Sequence, residues 1–165
     1  MQARLIALAL LFLTPTLAGC GFTPLYAAPG VSPGLSSIET VAPEGRTGYL
    51  LRAALDDALA RDARLPPTYR LTIDLKEVRT ARGRRADATA SRYELVLTAD
   101  WKLVRAATGA VVRQGSSQTE VTFDRADRPY AAITAHQDGQ ARAATELARK
   151  IQLQLADWMA SGAAG

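Results

Sequence analysis

The sequence predicts an α+β two-layer sandwich: a mixed four-stranded sheet covered on one face by two helices, in the order βαβββα. Three patterns carry that expectation. Tyr69, Leu71, Ile73 and Leu75 alternate with Arg70, Thr72, Asp74 and Lys76, the period of two that gives a strand one buried face. Tyr93, Leu95, Leu97, Ala99, Trp101 and Leu103 repeat the alternation against Glu94, Thr98, Asp100 and Lys102. The leucines 51, 55 and 59, spaced by four, and a longer apolar stripe near the carboxyl end supply the helical partners.

Taken along the chain, residues 36–41 form a weak first strand around Ile38 and Val41. Residues 47–61 follow as a helix, with Leu50, Ala54 and Ala58 flanking the leucine repeat, until Pro66-Pro67 forbids continuation. The second and third strands come next, then a turn at Thr108-Gly109. Residues 111–123 make a fourth strand whose Ser116-Ser117-Gln118-Thr119 stretch is polar enough for a sheet edge. Residues 138–159 close the unit as an amphipathic helix presenting Ala144, Leu147, Ala148, Ile151, Leu155 and Trp158. The strand-helix-strand opening allows a parallel crossover, and the two later connections allow antiparallel hairpins. Trp101 and Trp158 fall on apolar stripes and are expected in the core.

With 165 residues, 48% hydrophobic and 22% charged, the chain is one ordinary globular domain plus extensions. Residues 1–19 read as a signal peptide: Arg4, then an apolar run from Leu5 to Leu13, too short to span a bilayer. Leu17-Ala18-Gly19-Cys20 resembles the bacterial lipobox, which makes Cys20 the acylated first residue of a mature chain held to a membrane by fatty-acyl chains. Gly21 is not the aspartate that resembles an inner-membrane retention signal, so the outer membrane is the expected address, with the protein facing the periplasm. Residues 20–35, rich in proline and glycine, read as the acylated cysteine and its tether, fifteen residues reaching roughly 50 Å when extended. Residues 36–160 are the domain and 161–165 a flexible tail.

One cysteine and one histidine cannot build a disulfide or a usual metal site, and no cofactor or metal ligand set is expected. His136 lies before the expected last helix, near Asp138 and far from the Ser116-Ser117 pair. Without a G-x-S-x-G elbow these do not suggest a hydrolase, and no catalytic residue is assigned.

Charge is concentrated in one place. Between Lys76 and Arg92 six basic side chains face two acidic ones, a net +4 in a chain whose whole formal charge is +4. The candidate binding residues are therefore Arg79, Arg82, Arg84 and Arg85, with Lys76 and Arg92 at the strand ends, on a hairpin with Gly83 near its tip. A solvated turn carries similar charges. Guanidinium groups, however, grip phosphate through paired hydrogen bonds, so the loop suits a polyanion. An exported, acylated protein rarely meets nucleic acid, and aromatic residues for base stacking are not interleaved. At an outer membrane the polyanion at hand is lipopolysaccharide, whose lipid A is phosphorylated.

At Cys20-Gly21-Phe22-Thr23-Pro24-Leu25-Tyr26 the chain resembles the LptE family of lipopolysaccharide-assembly lipoproteins, particularly alphaproteobacterial members beginning CGFxPLY. The lipobox, tether, βαβββα order and terminal helix extend the resemblance over nearly the whole mature chain. The resemblance implies a non-enzymatic lipoprotein that plugs and helps to assemble the LptD β-barrel and takes part in delivering lipopolysaccharide to the cell surface. It also places lipid A contacts on the region from Arg79 to Arg92. The rival expectation from the residues is a generic envelope lipoprotein that scaffolds a protein partner through its sheet edge.

Overall fold

The computed structural model describes residues 30–83 and 91–162. Cys20, the signal segment, the CGFxPLY motif, Arg84 and Arg85 lie outside the described residues. The elements are α1 (Val31–Ser36), β1 (Ile38–Val41), α2 (Arg46–Ala58), β2 (Tyr69–Arg82), β3 (Arg92–Arg105), β4 (Val111–Asp124) and α3 (Pro129–Ala160). The sheet order is β1-β2-β3-β4, with β1 parallel to β2 and the other pairs antiparallel. The sheet is mixed, as the alternation and connection lengths predict.

β2 and β3 pair without slippage from Tyr69↔Arg105 to Arg82↔Arg92. β3 and β4 pair from Arg92↔Asp124, with a register shift near Leu103/Val104. Gly109, at φ 71°, takes the left-handed position in the tight turn between them, where Gly109 donates its N–H to the carbonyl of Arg105 at 2.8 Å. The alternation puts Leu71, Ile73, Leu95, Leu97, Ala99, Trp101 and Leu103 on the helix-covered face, all buried. α3 runs along β3 and β4, and α2 fills the space beside it over β1. Leu51, Leu55, Leu147, Ile151 and Leu155 complete the core, none of them accessible to solvent.

β4 is an edge strand, as its polar centre predicts, yet Ser117 and Thr119 point inward and are buried. Ser117 pays no desolvation penalty, because its hydroxyl accepts from Trp101 Nε1 at 3.4 Å and donates to Gln154 Oε1 at 3.1 Å. Gly115 sits directly opposite Trp101, where a Cβ would fall 2.5 Å from the indole. The absent side chain makes room for the ring.

Four expectations need correction. The end of the expected tether is a helix: Val31 and Leu35, one turn apart, are buried, and Gly34 lies against Met159 at the far end of α3. Pro33 and Gly34 disguise this turn. The leucine-rich helix stops at Ala58 rather than residue 61, since Ala60 takes a positive φ of 50°. The last helix begins at Pro129, a favoured first-turn residue, not at residue 138, so His136 lies inside it. Its opening turns carry no apolar stripe, as Tyr130 is 83% and Ile133 56% exposed. Finally, most of the basic stretch is strand: β2 continues through Arg82 and β3 starts at Arg92.

Candidate functional site

The strand extension decides where the expected binding residues point. Even-numbered positions of β2 face away from the helices, so Lys76 and Arg82 lie on the bare sheet face, as does Arg92 of β3. Arg79 faces the other way. Lys76 and Arg82 are six residues apart, about 20 Å along the strand. The six candidates thus do not form one described cluster: four are split between two faces, and two lie outside the described residues.

Arg82 and Arg92 are held in ion pairs. Arg82 makes a two-pronged contact to Glu94, with Nε to Oε2 at 2.9 Å and Nη2 to Oε1 at 2.7 Å. This hydrogen bonding holds the Glu94 carboxyl below its usual range and raises the Arg82 guanidinium above its own. Arg92 reaches Asp124 at 3.1 Å. Exposed pairs of this kind are weak, so either guanidinium can exchange its carboxylate for a phosphate at small cost.

Arg79 has a different setting. Its guanidinium carbon lies 5.0 Å from the centre of the Tyr93 ring. Tyr93 in turn packs on Phe123, centroids 5.7 Å apart. These three residues, with Asp124, Arg125 and Ala132, line a recess of about 210 Å³ between the end of the sheet and the start of α3. Arg125 enters it because its N–H donates to the carbonyl of Ser91 at 3.1 Å, tying the β4–α3 connection to the hairpin. The sequence count missed this residue, which is 33 positions beyond Arg92 yet at the same end of the molecule.

Beside this recess lies a partly buried polar cluster that sequence reading missed entirely. Glu77, on the helix side of β2, accepts from Thr47 Oγ1 at 2.6 Å and from Gln140 Nε2 at 3.0 Å. Gln140 also donates to Thr47 Oγ1 at 3.0 Å, and His136 Nε2 stands 3.6 Å from Glu77 Oε1. Three elements meet at one carboxylate. Its members come from residues 47, 77 and 140, too far apart in the chain for any spacing rule to link them. Replacing Glu77 with alanine takes away the carboxylate that both the buried Gln140 amide and the Thr47 hydroxyl donate to, leaving Gln140 only Thr47 Oγ1. A loss of about 1–3 kcal/mol is expected in chemical denaturation, and a smaller one for Glu77→Gln. Equal midpoints for the alanine variant and the parent would show the cluster to be incidental.

The bare sheet face carries a shallow concavity of about 600 Å³ lined by Thr72, Asp74, Asp100, Lys102, Gln114 and Ser116. Among the described residues no three histidine, cysteine or carboxylate side chains gather as metal ligands, and no helix is long and apolar enough to cross a membrane. Ser116 and Ser117 lie on opposite faces of β4, and the Ser117 hydroxyl is engaged with Trp101 and Gln154.

A family model described as LptE, lipopolysaccharide-assembly, matches residues 35–155. Among solved structures, a putative lipoprotein from Caulobacter crescentus is similar at 57% identity, with a TM-score of 0.71, over 81% of this chain and 97% of that one. A minor lipoprotein from Acinetobacter baumannii shares the fold at 14% identity and a TM-score of 0.52, over 73% of this chain and 88% of the other. No curated protein sequence matches.

Proposed function

The chain belongs to the LptE family of lipopolysaccharide-assembly lipoproteins, and from that membership we propose that it is anchored by acylated Cys20 in the outer membrane, facing the periplasm. There it seats its domain in the lumen of the LptD β-barrel and contacts lipid A phosphates through its arginine-rich end. No catalysed reaction is part of this role. The observation that carries the lipid reading is the recess in which Arg79 lies over Tyr93 beside Phe123 and Arg125. Cationic groups next to aromatic rings suit an amphiphile that presents phosphate next to hydrocarbon. For the barrel reading the support is the bare sheet face, whose Thr72, Asp74, Lys76, Thr98 and Lys102 match a water-lined lumen.

Replacing Arg79, Arg82, Arg84 and Arg85 together with glutamine tests the first part. Each lost charge-assisted contact is worth about 1.5 kcal/mol, roughly tenfold in affinity, so lipopolysaccharide binding should fall by tenfold or more and lose salt dependence. Unchanged affinity would remove the arginines from the reading. Co-purification from membranes tests the second. A stoichiometric complex with a large β-barrel is expected, whereas recovery with only a soluble partner would favour a scaffolding lipoprotein.

A further inference from the structure

The sheet has an edge that its own chain leaves open. β1 pairs with β2 only from Ile38↔Tyr69 to Val41↔Thr72, and the chain then climbs through Pro43 and Gly45 to the helical layer. Past Ile73 the rest of β2 pairs with β3 on one side, and on the other no described residue makes a backbone hydrogen bond to it. Parity decides which residues point outward. Ala106 donates its N–H to the carbonyl of Thr68 at 2.9 Å, so the even-numbered residues of β2 turn their backbone groups toward β3. Leu75, Glu77, Arg79 and Ala81 therefore offer theirs at the open edge.

The side chains along this edge complement their own two-fold image. Opposed residues of an antiparallel pair share a face, so the axis of a self-pairing must pass through a residue. With the axis at Val78, Glu77 opposes Arg79 on the helix side and Asp74 opposes Arg82 on the bare face, each pair occurring twice. The remaining opposed pairs are Leu75 with Ala81, Lys76 with Thr80, and Val78 with its own copy, so no like charges stand directly opposite one another. Neighbouring axes fail this test. An axis at Lys76, Glu77 or Arg79 sets that charge against itself, and one at Leu75 or Thr80 pairs only about half of the edge. The Val78 axis also fits the backbone parity. Leu75 with Ala81 and Glu77 with Arg79 become the hydrogen-bonded pairs, while Val78, 42% exposed in the single chain, meets its copy as a close non-hydrogen-bonded pair. Asp74, which stands directly opposite Asp100 in its own sheet, gains a counter-charge from Arg82 of the second copy.

We propose that the open edge of β2, from Asp74 to Arg82, is a self-association surface through which two copies of this chain join their sheets, antiparallel about a two-fold axis at Val78. The axis sends the two Tyr69 ends in opposite directions, roughly 60 Å apart. Such a dimer is a state of the protein outside the barrel, and it requires neither lipopolysaccharide nor LptD.

The test uses the full chain in detergent, followed by sedimentation and by oxidative cross-linking. So short a paired edge makes a small interface, and sedimentation should show monomer passing to dimer as the protein concentration rises. Val78→Cys places two thiols in a pair whose Cα atoms lie about 4.5 Å apart, within disulfide range. It should cross-link at least tenfold faster than Lys76→Cys, whose copies stand about 14 Å apart in this register. The parent chain supplies the background from Cys20. Asp74→Arg sets arginine opposite arginine twice and should raise the dimer dissociation constant at least tenfold. Monomer at every concentration, equal cross-linking at the two cysteine positions, or a dimer indifferent to Asp74→Arg would each overturn the proposal. Recovery of the barrel complex from membranes reports separately on the seat proposed above.

Discussion

Replacing Cys20 with serine is expected to move the protein not seated in the barrel from the membrane fraction into the soluble fraction almost completely. The side-chain thiol is the attachment point implied by Leu17-Ala18-Gly19-Cys20, and the described domain offers no membrane-spanning helix in compensation. Each buried CH₂ of an acyl chain contributes about 0.8 kcal/mol, one chain binds only marginally, and several together hold essentially permanently. Losing them all is therefore an all-or-none change. Fractionation of cells carrying the serine variant, with mass spectrometry of the parent's amino terminus, checks it. A serine variant that stays in the membrane without the barrel, or a parent whose Cys20 is a free thiol, would overturn the anchored reading.

Trp101→Ala should be the most destabilising single change in the described domain. The indole is 1% exposed, fills the space left by Gly115 and donates to Ser117, which is itself joined to Gln154 of α3. Truncation opens a cavity between sheet and helix, and large aromatic-to-alanine changes in cores cost about 3–5 kcal/mol. Against a total stability of about 5–15 kcal/mol that is a large share. Thermal unfolding should shift down by roughly 10–20 °C, judging from about 3–5 °C per kcal/mol in domains of this size. Trp101→Phe should retain most of the packing and lose markedly less. If both variants melt with the parent, Trp101 does not key the sheet to α3.

The parts of this fold that could be read from the chain are those where one periodicity dominates. β2 and β3 alternate cleanly because one face meets helices and the other meets none. β4 could be placed at an edge because Ser116 to Thr119 are polar, although the inward turn of Ser117 and Thr119 depends on Trp101 and α3, which the local pattern does not contain. The first turns of α3 escaped because Tyr130 and Ile133 face outward, leaving no stripe to detect. α1 escaped because Pro33 and Gly34 mimic a linker, although Val31 and Leu35 have the spacing of a buried turn. For the candidate site, the charge count pointed to one end of the molecule but not to the facing of its side chains. That facing follows from parity once the strands are known to continue to Arg82 and from Arg92. Arg125 and the Glu77 cluster depend on tertiary contacts between distant segments, which composition cannot reveal.

The flush β2–β3 pairing also fixes a direction. A slip of one residue would turn Leu71 and Ile73 outward and Thr72 and Asp74 inward, so the hairpin cannot ratchet. Its paired length is about 43 Å, at roughly 3.3 Å per residue. Tyr69, packed on Trp158, marks the pole where α1 joins the domain, and Arg82 marks the opposite pole. With Gly30 at the near pole, no more than about 35 Å of extended chain separates it from Cys20. Under the anchoring and barrel seat proposed above, a domain leashed in this way would enter the pore tip-first, its rear staying by the leaflet that holds the lipid. Being longer than the roughly 30 Å hydrocarbon layer, it would carry the Arg79 and Arg82 guanidinium groups toward the opposite rim.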